Sequence, residues 1–65
     1  MKLAFSEKDW QSFIDKCCFT DKELQIIPYL KRGWYEIDIA IELDISRRTV
    51  CRRKKQISKK ILKQL

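Results

Sequence analysis

The stretch EIDIAIELDIS, residues 36–46, decides the fold because its apolar residues fit two different structures. Apolar and polar residues alternate along it, and this pattern by itself is typical of a β-strand. The same residues also suit a helix, since Ile39, Ala40 and Leu43 would then share one face. A single strand would have no partner strand elsewhere in the chain, so we predict a helix over about residues 35–43.

The residues that follow predict a turn and a second helix. Asp44 and Ile45 interrupt the first helix, and Ser46 is a residue type that commonly caps a helix N-terminus. No Gly or Pro occurs after Ser46, so a last helix can run from Arg47 to about Lys63.

The last helix is predicted to have one apolar and one basic face. At about 100° per residue, Ile57, Ile61 and Leu65 lie within about 60° of Val50 and form an apolar stripe. Opposite this stripe, between about 140° and 220° from Val50, lie four basic residues: Arg48, Arg52, Lys55 and Lys59. Lys63 continues the row.

Two further basic residues, Arg53 and Lys54, flank the apolar stripe. Their stems can cover apolar surface while the charges stay in water, or the charges can meet acidic groups of the preceding helices. We expect Arg53 to pair with one of three acidic residues, Glu36, Asp38 or Glu42.

Two more helices are predicted before residue 35, after a short leader at residues 1–5. Ser6 is the predicted N-cap of a helix over about residues 6–18, with Phe5 and Trp10 as a hydrophobic staple. Its apolar face comprises Trp10, Phe13, Ile14 and Cys17.

The second of these helices has a stronger start signal. Thr20 and Glu23 have the spacing of a capping box, with Phe19 and Leu24 as the staple pair. Leu24 should begin an apolar face that continues towards Gly33, a residue typical of the position just after a helix. Pro28 should bend or interrupt the helix, because it removes a hydrogen bond to the carbonyl of Leu24.

Composition agrees with one small all-α domain. The 65 residues include one Gly and one Pro, and no stretch approaches the ~18 apolar residues of a membrane span. We predict a four-helix domain over residues 1–65, with an extra N-terminal helix in residues 1–18 and a helix-turn-helix core in residues 19–65. The N-terminus lacks the apolar core and cleavage site of a signal peptide.

Charge divides the chain unevenly. Residues 1–44 carry six basic and nine acidic residues, whereas residues 45–65 carry nine basic residues and no acidic one. An acid-free basic segment is either a solvated tail or a polyanion-binding element. The apolar stripe on the same helix favours the second interpretation, because a random tail would not keep Val50, Ile57 and Ile61 in register.

An enzyme is not expected from this sequence. There is no His and no Gly-rich phosphate loop, and the three cysteines, Cys17, Cys18 and Cys51, have no His partner and no zinc-site spacing. We expect these cysteines to be buried or half-buried free thiols, and we expect no cofactor, metal or small-molecule substrate.

Double-stranded DNA is the partner that the basic face fits, because an α-helix enters the major groove and Arg can bind guanine with two hydrogen bonds. The first turns of the last helix would present Arg47, Arg48, Cys51, Arg52 and Lys55. We predict that Arg48, Arg52 and, at the edge, Arg47 read bases. The residues predicted to hold the phosphate backbone are Ser46, Thr49, Lys55, Lys59 and, near the start of the preceding helix, Tyr35.

Residues 19–61 also match the pattern of a known family. The matching positions follow one another without a gap: Phe19, Thr20 and Glu23, then Gly33, Ile39-Ala40, Leu43, Ile45-Ser46, Thr49-Val50, Ile57 and Lys60-Ile61. This segment resembles the DNA-binding domain of LuxR/GerE-type bacterial regulators. It is similar, less closely, to the promoter-reading C-terminal domain of sigma factors. The resemblance implies a helix-turn-helix with motif helices at about 35–43 and 46–63.

The resemblance has departures. Asp44 stands at the turn position usually held by Gly, and Asp tolerates the left-handed conformation. Pro28 is unusual inside the second helix, and Lys54 replaces a residue that is often apolar. The first helix lies outside the family pattern.

Trp34, Ile37 and Ile41 are candidate interface residues, since the family often carries polar residues at the two isoleucine positions. Either the first helix folds over them to enlarge the core, or they contact a second copy or a transcription partner.

The leading functional hypothesis is a sequence-specific transcription regulator in the cytoplasm of a bacterial or phage-infected cell, associated with the nucleoid. The alternatives are a sigma-like module that binds RNA polymerase through Trp34, Ile37 and Ile41, and a DNA-packaging or recombination adaptor.

Overall fold

The computed structural model describes residues 5–65, which form four helices and, within that range, no strand. The helices are α1 (Glu7–Lys16), α2 (Asp21–Lys31), α3 (Glu36–Leu43) and α4 (Arg47–Leu62). The all-α prediction is therefore confirmed, and the strand interpretation of residues 36–46 is wrong. Residues 1–4 of the predicted leader lie outside the described residues.

Helix α1 begins as its capping signal predicts but ends earlier. The Oγ atom of Ser6 accepts a hydrogen bond from the amide of Asp9 at 3.2 Å. The rings of Phe5 and Trp10 meet edge to face with their centroids 5.6 Å apart, which confirms the staple. The helix stops at Lys16 because Cys17 has extended backbone angles (φ −88°, ψ 141°).

Helix α2 has the predicted capping box and continues through its proline. Both hydrogen bonds of the box between Thr20 and Glu23 are present. Of the two predicted effects of Pro28, a bend or an interruption, the interruption is wrong, since α2 runs on to Lys31 with the proline exposed. Gly33 follows the helix with φ +77°, the left-handed conformation that glycine adopts most readily.

The buried face of α2 differs from the predicted one at Leu24, whose side chain is 39% exposed. The face comprises Glu23, Ile26, Ile27 and Leu30, at the helical spacing i, i+3, i+4, i+7. Leu24 lies about 100° around the helix from Glu23 and therefore points away from the core.

Helices α3 and α4 form the predicted helix-turn-helix. Asp44 adopts the left-handed conformation (φ 54°, ψ 47°). The next amide, of Ile45, donates to the carbonyl of Ala40 at 3.0 Å. Ser46 then caps α4, so the turn between the two helices comprises Asp44, Ile45 and Ser46.

The core draws on all four helices. Within the described residues, Ile26, Ile39, Val50, Ile57 and Ile61 are fully buried. Helix α1 contributes buried Trp10 and Phe13, and its C-cap residue Cys17 is buried beside them. Burial of one such side chain contributes about 1.5–3 kcal/mol to folding. Leu65 was expected in the apolar stripe of α4 but is 80% exposed, because the helix ends at Leu62.

The three cysteines are free thiols in different environments. Cys17 is buried and Cys51 is half-buried, as predicted, whereas Cys18 is exposed, so the prediction is wrong for that residue. The thiol of Cys17 donates to the carbonyl of Lys60 at 3.6 Å and so joins the end of α1 to α4. Burial and the neighbouring Cys18 raise the pKa of Cys17, which keeps this thiol protonated at neutral pH.

Candidate nucleic-acid interface

The N-terminus of α4 is fixed by side-chain hydrogen bonds. The Oγ atom of Ser46 accepts from the amide of Thr49 at 3.1 Å. The Ser46 and Thr49 hydroxyl oxygens are 2.8 Å apart, so one hydroxyl donates to the other. The proton of the second hydroxyl remains available for an outside acceptor, and the positive pole of the helix lies beside it. This arrangement suits a phosphate oxygen.

The basic face of α4 lies opposite its buried side. Val50 is 0% exposed and packs in the core. The four predicted members of the basic face, Arg48, Arg52, Lys55 and Lys59, are all exposed. Successive members lie three or four residues apart, so these charges form one row along the helix.

Two other basic residues of α4 are tied to the rest of the fold. Lys54 forms an ion pair with Glu36 of α3, with Nζ 3.5 Å from Oε1. Lys60 forms one with Glu23 of α2 at 2.7 Å. Arg53 is half-buried and forms no ion pair among the residues described, so the predicted pairing of Arg53 is wrong and Lys54 has the acidic partner instead.

Cys51 is turned towards α3 and away from the row of exposed charges. Its half-buried thiol donates to the Oε2 atom of Glu36. The hydrogen bond from Cys51, together with Lys54, lowers the pKa of Glu36 below its ordinary value. The same bond raises the pKa of the Cys51 thiol. Among the predicted DNA-contacting residues, Cys51 therefore has its polar group engaged within the protein.

Tyr35 and Arg47 are brought close together although they are 12 positions apart in the chain. Both line a depression of about 270 Å³ between the start of α3 and the start of α4, together with Trp34 and Ile37. Tyr35 is 77% exposed and makes no side-chain capping hydrogen bond. Its phenol ring is thus exposed to solvent at the same end of the domain as the first turn of α4.

The outer face of α3 is apolar and acidic. Ile37 is 49% exposed, Ile41 is 73% exposed and Trp34 is 37% exposed. The interpretation that the first helix folds over these side chains is therefore wrong. Trp34 packs against Tyr29 instead, with ring centroids 4.8 Å apart. Two exposed carboxylates, Asp38 and Glu42, line a depression of about 510 Å³ beside Ile41.

Two features of this region were not predicted from the sequence. One is Leu62, which is 53% exposed and lines a groove of about 410 Å³ that also includes Glu36, Cys51 and Lys59. Its position about 120° from Val50 on the helical projection was a usable signal. The other is the Glu23–Lys60 ion pair, because a capping-box glutamate gives no sign of a distant second partner.

None of the helices in the described range is long and apolar enough to cross a membrane. A protein-family model for a homeodomain-like domain matches residues 20–60, from the N-cap of α2 into the last turn of α4. Helix α1 lies outside the matched segment. Searches of curated proteins and of solved structures found no significant match.

Proposed function

Because the chain belongs to the homeodomain-like family of helix-turn-helix domains, we propose that it is a sequence-specific double-stranded DNA-binding protein that regulates transcription in a bacterial or phage-infected cell. A helix-turn-helix domain is a DNA-binding unit, and this supports DNA as the partner. The LuxR/GerE and sigma-type assignments are finer than the family match and stay predictions.

The observation that carries the proposal is the opposite placement of Val50 and the basic row on α4. A fully buried Val50 fixes the rotation of the helix about its axis. That rotation directs Arg48 and Arg52 outward, and these residues lie about 6 Å apart along the axis. The major groove is about 12 Å wide and accepts a helix in which such side chains point at base edges.

The proposed contacts divide into base-reading and backbone-holding groups. Arg48 and Arg52 read bases, with Arg47 at the edge of the groove. Five other residues hold phosphates: Ser46 at the N-cap of α4, Thr49, Lys55 and Lys59 within α4, and Tyr35 at the N-cap of α3. Contacts to phosphate set the position of the helix, whereas contacts to base edges set the sequence preference.

A selection of bound duplexes from a random DNA pool, at a stated salt concentration, tests this proposal. We expect one short motif to be enriched and to bind at least about 10³-fold more tightly than a shuffled duplex. Affinity should fall steeply between about 50 and 200 mM salt, because Lys and Arg displace counterions from phosphates. Equal affinity for the selected and shuffled duplexes would contradict sequence-specific binding.

The exposure of Ile37 and Ile41 favours a second candidate function, a sigma-like module that binds RNA polymerase. Purified polymerase should then be retained by the immobilised domain and lost with Ile41→Gln. The same variant should keep its affinity for random DNA, because Ile41 lies outside the basic row. A small DNA-packaging or recombination adaptor would share the DNA-binding face, and it is distinguished by the genomic positions of the selected motif, which would then lie away from promoters.

A further inference from the structure

Two exposed surfaces of the domain have complementary chemistry and contain none of the proposed DNA contacts, although Ile37 adjoins Arg47 and Leu62 adjoins Lys59. The first, called the α3 surface, comprises Trp34, Ile37 and Ile41 with the carboxylates of Asp38 and Glu42. Its three apolar side chains are 37%, 49% and 73% exposed. The two carboxylates are exposed and form no ion pair within the described part of the chain.

The second surface, called the α4 end, comprises Leu62 and Lys63 at the C-terminus of the last helix. Leu62 is the last helical residue and is 53% exposed, and Lys63 caps the helix and is also exposed. An apolar side chain thus stands beside a cation here, whereas on the α3 surface apolar side chains stand beside anions.

We propose that the α3 surface of one copy binds the α4 end of a second copy, head to tail. In this contact Leu62 packs against Ile37 and Ile41, and Lys63 faces Asp38 and Glu42. The two surfaces match in both polarity and charge, which is the pattern that interfaces use for specificity. An α3 surface packed on a copy of itself would instead place four carboxylates in one small interface.

The contact is expected to be weak between free molecules. Helix α3 has eight residues and is about 12 Å long, so the buried area falls short of the ~800 Å² per partner that stable complexes bury. The formal net charge of +6 on each chain also opposes association in solution.

DNA should strengthen the contact in two ways, and this step rests on the proposed DNA binding. Phosphates neutralise the basic row, and two copies on adjacent sites are held at high effective concentration. The head-to-tail contact leaves Arg48 and Arg52 free for the groove. Because the two contacting surfaces differ, the two copies are not related by a two-fold axis, and successive copies bound along DNA point the same way. The preferred DNA is therefore a direct repeat, whereas a two-fold dimer would prefer an inverted repeat.

Neutral substitutions at exposed positions test the contact in free protein. Ile41→Gln removes the centre of the α3 surface, and Leu62→Gln removes the apolar part of the α4 end. Leu24→Gln is the matched control, since Leu24 is also exposed but lies on α2. Circular dichroism should show that all three variants keep the wild-type fold.

Sedimentation of free protein from about 10 µM to about 1 mM should show weak association of the wild type and of Leu24→Gln. Each of the other variants alone should remain monomeric. An equimolar mixture of Ile41→Gln and Leu62→Gln should form dimers, because each supplies the surface that the other lacks. A wild type that is monomeric throughout this range overturns the inference, and so does association lost in Ile41→Gln but retained in Leu62→Gln.

Binding to duplexes with one site or with two direct repeats separates this inference from the proposed function. Single-site affinity should be the same for the wild type, Ile41→Gln and Leu62→Gln. The second repeat should fill at least about tenfold more tightly than the first for the wild type only. Normal single-site binding without this cooperativity overturns the head-to-tail contact and leaves the proposed function standing. If the protein does not bind a single site, the proposed function is contradicted. The sedimentation experiment then tests the head-to-tail contact by itself.

Discussion

The ammonium group of Lys60 in α4 lies 2.7 Å from the buried carboxylate of Glu23 in α2, 37 residues earlier in the chain. The same carboxylate completes the capping box with Thr20. Lys60 also donates to the carbonyl of Cys18 at 2.8 Å. One acidic side chain therefore stabilises the start of α2 and attaches the C-terminal half of α4 to it, which helps to hold the basic row in its orientation.

The first prediction concerns acid stability. Burial by itself would raise the pKa of Glu23, but the hydrogen bonds from Lys60 and Thr20 outweigh it and lower the pKa. A carboxyl with a lowered folded-state pKa contributes stability above its unfolded pKa of about 4.3. That contribution is lost as the pH falls through the folded-state pKa. Glu23→Gln should therefore unfold about 1–3 kcal/mol more easily at neutral pH and lose less further stability in acid.

Urea unfolding of the wild type and Glu23→Gln between about pH 7 and pH 2.5 measures this difference. The matched control is Glu7→Gln, because the Glu7–Lys31 ion pair has a 79% exposed carboxylate and should matter little. Equal stability of wild type and Glu23→Gln at pH 7 would rule out a net stabilising role for the Glu23 carboxylate.

The second prediction separates two neighbouring arginines. Arg52 lies on the exposed basic row, whereas Arg53 is half-buried at its flank. Arg52→Ala should cost about 1–3 kcal/mol in binding to the selected duplex and relax the preference at one or two base pairs. Arg53→Ala should change the sequence preference little. Parallel selections and fluorescence anisotropy with both variants measure this contrast, and uniform weakening on all duplexes would move Arg52 to the phosphate-holding group.

The third prediction concerns the backbone holders. Lys59→Gln removes one exposed charge from the same row without disturbing the core. It should weaken binding about equally on all sequences and reduce the slope of log affinity against log salt by about 1. Lys16→Gln is the control, since Lys16 is exposed on α1, outside the basic row, and should leave the salt slope nearly unchanged. A changed motif for Lys59→Gln would instead assign Lys59 to base reading.

The fourth prediction concerns the turn of the motif. Asp44 has φ 54°, a conformation that costs a β-branched residue about 1–2 kcal/mol. Asp44→Val should lower the free energy of unfolding by at least this amount, whereas Asp44→Gly should change it by less than about 1 kcal/mol in either direction. Thermal unfolding of both variants compares their stabilities. A Val variant as stable as the Gly variant would contradict a left-handed conformation at residue 44.

The fifth prediction concerns Pro28, which lies within a continuous helix. Its ring removes the amide that would bind the Leu24 carbonyl, and the residue is exposed. Pro28→Ala should restore that hydrogen bond and raise the stability by about 1–2 kcal/mol, less than the full helix-propensity difference because the unfolded chain gains freedom. Denaturant unfolding measures the change, and a destabilised variant would show that the proline ring contributes packing.

Much of the motif was accessible from local patterns. The caps at Ser6, Thr20 and Ser46 were predicted because the capping side chain and the amide that it binds lie within three residues of each other. The buried side of α4 was predicted from the spacing of Val50, Ile57 and Ile61, since one helical period links them. The choice of helix over strand for residues 36–46 depended on the absence of a partner strand and was correct.

Apart from local errors at Pro28, Cys18 and the end of α1, the wrong predictions concern how the helices pack against one another. Of the two interpretations of Ile37 and Ile41, the one in which α1 covers them is wrong, and the sequence contains no signal for where α1 packs. Arg53 and Lys54 were equally plausible partners for α3, and only the crossing of α3 over α4 brings Lys54 to Glu36. Leu24 and Leu65 were assigned to apolar faces by spacing, but the rotation of α2 and the end of α4 at Leu62 expose them.

The sequence by itself determined four helices, their starting residues, the turn at Asp44 and the separation of basic from apolar residues on α4. These follow from hydrogen bonds and periodicity within a few residues of chain, which act alike in any fold. Only the tertiary structure decided which face of α3 stays exposed and which cations of α4 are held by Glu23 and Glu36. Such choices depend on how close distant segments come when the core closes, and packing around Trp10, Ile39 and Val50 sets those distances.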